Sequence, residues 1–526
     1  MSQDGETGLR EFNQRQPVGR ISGMIQSVLS KISFVILVSL TSISAVVITA
    51  QLATVEPKKA FGTLVVVGLA WATFVYKRPK ETFLFGWVFS LTYNRQYFVF
   101  DGLLGNNGMQ GPYLVVADFF LLGLFCVWFY EAAVLKRPSA PLGGRLWPWY
   151  LPFASACLLS VFAADRMDWT LFEMIRVVKV ALILWYARYN LRSREWWLCA
   201  AAIGCALTAQ SILGVLEVTF RRSGILWMLG MGTAEETAPG FLQAESFFGF
   251  RRATATMNHP PNLACYMLLT IPVCAALALT HPKRNWRALS AGATLLGLAG
   301  LACTLSRWPW VLMVLQLTVL LCGLVWLRTL PLKRALAFFL LAGLLGAGVG
   351  LGAADLLYNR LTGDLQASVE QRERGNRAAL DMWHDANSFL GVGLNNYRVH
   401  MVKYEPESVW VEEYEYVALN FHLRFIAGPL NGFLLVLSET GIVGLTTFVI
   451  YLVGVAFVGI KAVSGTRGHT QAAALGLLIG FAGVLAQQAI DYSYWVDPLL
   501  YTATMVVGML NCARALPDQR ASAGPA

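Results

Sequence analysis

Three ionisable residues recur at helical spacing inside an apolar stretch, where charged groups are costly and therefore informative. Glu173, Arg176 and Lys179 lie at i, i+3 and i+6 within residues 170–188, so successive members stack near one face of a helix. In one interpretation, Glu173 and Arg176 pair with each other against a neighbouring helix. In the other, Arg176 and Lys179 form a basic stripe along a cavity that binds a polyanionic, lipid-borne group. The spacing favours the basic stripe.

Another cation lies where two apolar stretches are joined by almost no loop. Residues 304–306 make the connection and Arg307 follows, beside Trp308 and Trp310. Arginine and tryptophan both favour the membrane interface, so snorkelling is one explanation of this pattern. A guanidinium fixed there is also suited to bind a pyrophosphate bidentately, because its charge is permanent and its donors are planar.

The composition places these residues in a membrane protein. Of the 526 residues, 56% are hydrophobic and 14% are charged, and the mean hydropathy is +0.54. Soluble domains have roughly 45–50% apolar and about 25% charged residues. A bilayer can accommodate the excess apolar surface if every crossing is helical and satisfies its own backbone. We therefore predict an all-α fold, a polytopic transmembrane helical bundle of about 12–14 spans.

Apolar runs of about 20 residues predict where those spans lie. They cover residues 32–53, 60–76, 82–93, 113–135, 148–163, 170–188, 196–218, 261–280, 288–305, 308–327, 335–352, 432–460, 471–490 and 498–513. The predicted organisation is a tail (1–31), eleven spans (32–352), a long loop domain (353–431), the C-terminal spans (432–513) and a second tail (514–526). Within the long loop we expect an amphipathic helix over about 364–386.

Basic residues are concentrated in every second connection. Those connections carry Lys77, Arg78 and Lys80; Lys136, Arg137 and Arg145; Arg188, Arg192 and Arg194; Lys283, Arg284 and Arg287; Arg328, Lys333 and Arg334; and Lys461 and Arg467. By the positive-inside rule, both termini are cytoplasmic and residues 219–260 and 353–431 lie on the far side. The same distribution accounts for the net charge of +10, so we do not expect a nucleic-acid partner.

The motifs of nucleotide- and metal-dependent enzymes are missing from the sequence. There is no GxxxxGK[ST], HExxH or CxxC pattern, and most of the nine cysteines lie in apolar runs. Gly391 and Gly393 form a GxG, but no βαβ pattern surrounds it, so a dinucleotide site is not expected. We predict neither a metal nor a cofactor.

Four short motifs together resemble the O-antigen ligase and O-antigen polymerase superfamily. They are an arginine with an HPN-like helix entry (Arg251 and residues 259–262), a T-x-S-R hairpin (304–307, with Ser306), an R…W…PlxGvGlgny-like stretch (377–397, with Arg377), and an HNxyLxxLxExGxxGL-like stretch (431–445, with Asn431 and Glu439). They occur in the family's order, on one predicted side of the membrane, and cover about residues 250–460.

The resemblance implies glycosyl transfer at the periplasmic face of a bacterial inner membrane, in O-antigen or exopolysaccharide assembly. The donor would be an undecaprenyl-pyrophosphate-linked oligosaccharide, and the acceptor a lipid A core, another glycan unit or a protein hydroxyl. Arg307 would stabilise the leaving pyrophosphate, and Arg251, Arg377, Ser306 and Asn431 would bind substrate. Trp410, in an acidic and aromatic run, either stacks on a sugar face or belongs to a solvated flank.

The acceptor hydroxyl also needs a base, and here the sequence departs from the family. The family motif has a histidine immediately before Asn431, where this chain has Leu430. His422 could replace it, because the Gly-Pro pair at 428–429 permits a turn back over the cavity. Glu439 is the second candidate, and a differently built or inactive site is the third possibility. A membrane transporter or flippase of a small anion or lipid-linked sugar is the alternative function.

Overall fold

The computed structural model describes residues 78–93, 96–98, 113–136, 140–144, 146–220, 246–247, 250–257, 259–338, 340, 365–404, 409–410, 425–426 and 431–516. All of them belong to the second of two compact units, residues 78–526. The predicted spans 32–53 and 60–76, and most of 335–352, lie outside the described residues.

The described residues are mainly helical. The α-helices are α1 (Pro79–Ser90), α2 (Val116–Ala133), α3 (Trp147–Leu159), α4 (Met167–Asn190), α5 (Ser193–Phe220), α6 (Pro260–Thr280), α7 (Arg284–Cys303), α8 (Arg307–Trp326), α9 (Leu365–Asp385), α10 (Tyr397–Tyr404), α11 (Gly432–Gly465), α12 (Gly468–Gln488) and α13 (Asp497–Cys512). Residues 332–338 are also helical. Short 3₁₀ turns follow α3 (Ser160–Ala163), precede α13 (Ser493–Trp495) and follow α13 (Ala513–Ala515).

Three antiparallel two-stranded ribbons complete the described elements. They pair β1 (Gln96–Phe98) with β2 (Tyr113–Val115), β3 (Ser246–Phe247) with β4 (Phe250–Arg251), and β5 (Val409–Trp410) with β6 (Phe425–Ile426). In the first ribbon Tyr97 is opposite Leu114.

Among the described helices, seven are long and apolar enough to cross a membrane: α2, α5, α6, α7, α8, α11 and α12. Helices α1, α3, α4 and α13 also coincide with predicted spans. Helices α1, α3 and α13 are shorter than the seven, and α4 carries the charged stripe of Glu173, Arg176 and Lys179. The prediction of an all-α, multi-pass membrane protein is confirmed. The amphipathic helix predicted over about 364–386 is α9.

The bundle is built around α6, which is buried continuously from Leu263 to Leu277. A helix that is apolar on all sides belongs in the interior. Pro272 has no N–H to give to the carbonyl of Leu268, and Gln316 of α8 replaces that donor, with Nε2 3.1 Å from Leu268 O. The same nitrogen lies 2.8 Å from the carbonyl oxygen of Ile479 in α12, so one side chain joins three helices.

Alternate helix ends meet at the same end of the bundle. At one end, which we call the basic end, Lys80 pairs with Glu131 and Glu195, and the rings of His281 and His469 lie 4.8 Å apart. The described residues of the predicted basic connections lie there. At the other end, the hairpin end, are the 304–306 turn, the starts of α4, α6, α11 and α13, and helices α9 and α10.

Helix α11 is interrupted near the hairpin end, an interruption that the apolar run over 432–460 did not predict. Gly441 has φ 65° and ψ −169°. At about 1.5 Å per residue the 34 residues of α11 would span about 51 Å, well beyond a hydrocarbon core of about 30 Å. Residues 442–465 alone are long enough to cross, so 432–440 form a separate segment at the hairpin end.

Candidate functional site

The turn between α7 and α8 is held by Arg252. Its Nε donates to the carbonyl oxygen of Thr304 at 3.0 Å, and its Nη2 donates to Oγ of Ser306 at 3.1 Å. Leu305, between them, has a φ of +50°, so the short connection adopts a conformation that side chains disfavour. Arg251 was the arginine singled out from the sequence, and its side chain lies outside the described residues. The adjacent arginine makes the contact.

A buried carboxylate fixes the segment that carries Arg252. Glu217, near the end of α5, accepts hydrogen bonds from the N–H groups of Thr254 and Ala255 at 2.8 and 2.9 Å, and from the Thr254 hydroxyl. A carboxylate with several backbone donors is a strong fixed point. From the sequence Glu217 was predicted only as part of a span, although a glutamate at the end of an apolar run was a usable signal.

Arg307 is the first residue of α8 and is partly buried beside this turn. Trp310 is anchored by its indole N–H, which donates to the carbonyl oxygen of Leu301 at 3.0 Å. This bond connects the first turn of α8 to the last turn of α7, so the backbone at Arg307 is held in place. Arg252, Ser306 and Arg307 are therefore brought together at the hairpin end.

Arg176 and Lys179, the two cations of the α4 stripe, each form ion pairs with carboxylates. Arg176 pairs with Glu173 and, at 2.7 Å, with Asp497 of α13, and it also donates to the carbonyl oxygen of Trp495. Lys179 pairs with Asp118 of α2 at 2.7 Å. The Glu173–Arg176 pair of the first interpretation is present, and donor binding by Arg176 and Lys179 stays a prediction.

Three further predicted residues lie on helices at the hairpin end. Asn431 caps α11, its side-chain oxygen accepting from the N–H groups of Phe433 and Leu434 at 2.9 and 3.2 Å. Glu439 is buried next to the break, where Oε1 accepts from the N–H of Tyr397 at 3.3 Å. Arg377 is exposed on α9 and pairs with Glu373 of the same helix. His422 and the side chain of Trp410 lie outside the described residues.

A polar cluster at the end of α12 was not predicted from the sequence. Gln487 and Gln488 are almost fully buried and Asp491 is 8% exposed. Across from them, α9 presents Arg372, whose charge reaches Asp491. Gln487 Oε1, Gln488 Nε2, Arg372 Nε and Asn376 Oδ1 are buried atoms without a hydrogen-bond partner in the described part of the chain. Such atoms mark a place suited to hydroxyl-rich ligands or water.

Burial raises the pKa of the Asp491 carboxyl, and the nearby Ser493 and Arg372 only partly oppose that effect. A carboxyl with a raised pKa is a better proton acceptor than an ordinary aspartate. The available sequence signal was an ionisable residue directly after the buried Gln-Gln pair. Within the described ranges, no group of three or more His, Cys, Asp and Glu side chains is placed to hold a metal ion.

Two comparisons with known proteins bear on these residues. Residues 292–449 match the family described as O-Antigen ligase. The match includes the 304–306 turn, Arg307, helix α9 and the first part of α11, but not Arg252 or Asp491. No curated protein matches the chain.

Proposed function

We propose that this chain is a glycosyltransferase that moves a glycan from undecaprenyl pyrophosphate onto a hydroxyl group, because residues 292–449 match the family described as O-Antigen ligase. The acceptor is a lipid A core sugar or another glycan unit. The family match over the hairpin and the start of α11 is the observation that carries the proposal. The convergence of cationic and carboxylate side chains at that same end of the bundle supports it.

In the proposed reaction the acceptor oxygen bonds to the anomeric carbon of the donor sugar. The bond between that carbon and the pyrophosphate oxygen breaks, and its electron pair leaves with the lipid pyrophosphate. The hydroxyl proton passes to a base. Fixed guanidinium groups stabilise the charge that develops on the leaving oxygen, so we assign that role to Arg307, with Arg251 and Arg377 as further substrate-binding residues.

Arg252 acts differently in this proposal. Its guanidinium donates two hydrogen bonds to the 304–306 turn, so we assign it to positioning Ser306 and Arg307. Arg176 and Lys179 have carboxylates at ion-pair distance, and attraction to a polyanion is weakened when a cation already has an anionic partner. Their charge therefore supports helix packing more than donor binding.

The residue that accepts the proton of the acceptor hydroxyl remains to be assigned. His422 and Glu439 were the candidates from sequence, and the structure adds Asp491. The Gln488 side chain packs against Gly432, close in sequence to Leu430, where the family has its histidine. Asp491 lies one helical turn beyond Gln487 and has a raised pKa. We therefore propose that Asp491 accepts the proton, with Glu439 held by Tyr397 in a supporting position.

The function is tested by the glycan profile of a deletion strain carrying plasmid-borne variants. Loss of long chains with single repeats retained indicates a polymerase, and accumulation of full-length lipid-linked chains indicates a ligase. Arg307→Ala should fail to restore the profile at normal membrane abundance, and Arg307→Lys should restore it poorly, because an ammonium cannot form the same planar fork. Arg287→Ala, an exposed arginine at the basic end, is the matched control. An unchanged profile on deletion would refute the proposal.

We also propose that the hairpin end is periplasmic and that both termini are cytoplasmic. The support is the alternation of basic connections, whose described members lie at the opposite end of the bundle. An alkaline phosphatase fusion after Asp385 should be active and one after Lys283 inactive. The reverse result would place the proposed site on the wrong side for a lipid-linked donor.

A further inference from the structure

A loop that precedes α11 in the chain forms the hydrogen bonds that are missing where α11 is interrupted at Gly441. In an unbroken helix, the N–H groups of Ile442 and Val443 would donate to the carbonyls of Ser438 and Glu439. All four groups bond instead to residues 388–396, which we call the docking loop. The bonds are Ile442 N to Ser388 O (3.0 Å), Val443 N to Phe389 O (3.4 Å), Val392 N to Ser438 O (2.9 Å) and Gly393 N to Glu439 O (2.9 Å).

Three glycines make this close approach possible. Gly391, Gly393 and Gly441 have φ values of +70°, +96° and +65°, a region that favours glycine. A Cβ on Gly441 would lie 2.2 Å from the carbonyl oxygen of Phe389, and one on Gly391 would lie 2.5 Å from the backbone of Glu439. The GxG that has no place in a dinucleotide site therefore serves the docking of backbone on backbone.

The other side of the docking loop is bonded to the connection between α3 and α4. The N–H of Leu394 donates to Ser160 Oγ at 3.0 Å, and its carbonyl accepts from the Thr170 hydroxyl at 2.8 Å. Asn396 accepts from the N–H of Arg166 at 2.8 Å and donates to the Thr170 hydroxyl at 2.9 Å. One loop thus satisfies the polar groups of two places where the helical bundle is interrupted.

We propose that the docking loop is a positioning element for glycan transfer. It keeps α11 bent at Gly441 and so sets the direction of residues 432–440, which carry Glu439 and begin at the Asn431 cap. The loop follows α9 directly, so the same bonds hold Arg372 and Asn376 at a fixed distance from the end of α12. Without the loop, the bent helix would leave these two N–H groups and two carbonyls without their backbone partners, and Ser438 and Glu439 are buried.

This inference rests on the proposed function, and its test separates the two. Ser388→Cys and Ile442→Cys are introduced into the full-length protein in membranes, oxidised, and scored for the crosslinked peptide by mass spectrometry. The pair is then combined with Gly441→Ala or with Gly468→Ala. Gly468 has a φ of +61°, and a Cβ there would meet no atom of the described residues within 4 Å, so its alanine variant carries the backbone strain without displacing a neighbour. Transfer kinetics are measured for each glycine variant without the cysteines.

We expect Gly441→Ala to abolish the crosslink and to lower kcat by roughly tenfold or more, with KM less affected, because misplaced groups slow the chemical step. Gly468→Ala should keep both the crosslink and the rate. Equal crosslinking in the two variants overturns the loop's role in holding the bend, and equal kcat overturns its role in positioning. Absence of transfer in the unsubstituted protein refutes the proposed function instead, and the crosslink still decides whether the loop holds the bend.

A milder variant covers the case in which Gly441→Ala is not inserted into the membrane. Ser160→Ala removes the hydroxyl that receives the N–H of Leu394 and leaves every backbone torsion available. It should lower kcat several-fold at normal abundance, and Ser160→Thr, which restores a hydroxyl, should recover part of the loss. A kcat equal to that of the unsubstituted protein in Ser160→Ala contradicts positioning by the loop.

Discussion

The guanidinium of Arg252 lies 3.1 Å from the hydroxyl oxygen of Ser306 and bonds in parallel to the neighbouring carbonyl of Thr304. This contact links two segments that the sequence separates widely, the entry to α6 and the α7–α8 turn. Together with the bond from Trp310 to the carbonyl oxygen of Leu301, it supports the placement of Arg307 at the start of α8.

Removing either partner of that contact should therefore weaken transfer more than it weakens the fold. We expect Ser306→Ala and Arg252→Lys each to lower the transfer rate by roughly tenfold, while the unfolding free energy falls by only about 1 kcal/mol. Lysine fails because one ammonium cannot reproduce both bonds of the planar fork. Ser464→Ala at the basic end, whose hydroxyl bonds to the carbonyl of Lys461, is the matched control. A normal rate in Arg252→Lys would show that the turn does not need this support.

The Lys179–Asp118 pair allows the two interpretations of the α4 stripe to be separated. Lys179→Met leaves a carboxylate that is only 13% exposed without its partner, which should destabilise the protein by roughly 3–5 kcal/mol. The double variant Lys179→Met with Asp118→Leu should recover most of that loss. Thermal unfolding of the purified protein and the KM for donor are the measurements. A donor KM that rises equally in the single and double variants would restore Lys179 to the binding site.

Asp491→Asn should have opposite effects on stability and activity. Burial raises the pKa of this carboxyl, so the folded protein binds its proton more tightly than the unfolded chain does. The carboxyl therefore costs no stability below the unfolded pKa of about 3.9. The cost grows as the pH rises from that value to the raised folded pKa, and it is constant above the folded pKa. At pH 7 we expect Asp491→Asn to be more stable than the unsubstituted protein and to lose transfer by about a hundredfold or more.

The matched control is Asp497→Asn, which loses an ion-pair partner of Arg176 and should be less stable at pH 7. In the unsubstituted protein, kcat/KM should fall as the pH is lowered through the raised pKa of Asp491. Thermal unfolding and initial rates between pH 4 and pH 8 test both statements. If Asp491→Asn transfers glycan at a normal rate, a group other than Asp491 accepts the proton of the acceptor hydroxyl.

His422 is the competing base, and a pair of substitutions decides between the two residues. If Asp491 accepts the proton, His422→Ala keeps most of the transfer rate, and adding Leu430→His changes little. If His422 is the displaced motif histidine, His422→Ala abolishes transfer and Leu430→His recovers part of it. We expect the first result, measured as initial rates in membranes with equal amounts of each variant.

Local apolar patterning was sufficient to predict the apolar helices of the described residues, the amphipathic helix α9 and the tight connection at 304–306. These features depend on the length and period of apolar runs, and a bilayer leaves few ways to satisfy the backbone of such a run. The same local information identified Arg307 and the family motifs. It also showed that Leu430 replaces the motif histidine.

Which polar groups meet could not be predicted in this way. Whether Arg176 is neutralised depends on Asp497 in a distant helix, and whether Arg251 or Arg252 reaches the turn depends on how the chain enters α6. In the sequence, Gly441 is one glycine within an apolar run and does not by itself predict a break in the helix. The break is stable because the docking loop supplies the hydrogen bonds that the helix lacks there. Hydropathy is a property of each segment, whereas the pairing of buried polar groups depends on packing between segments far apart in sequence.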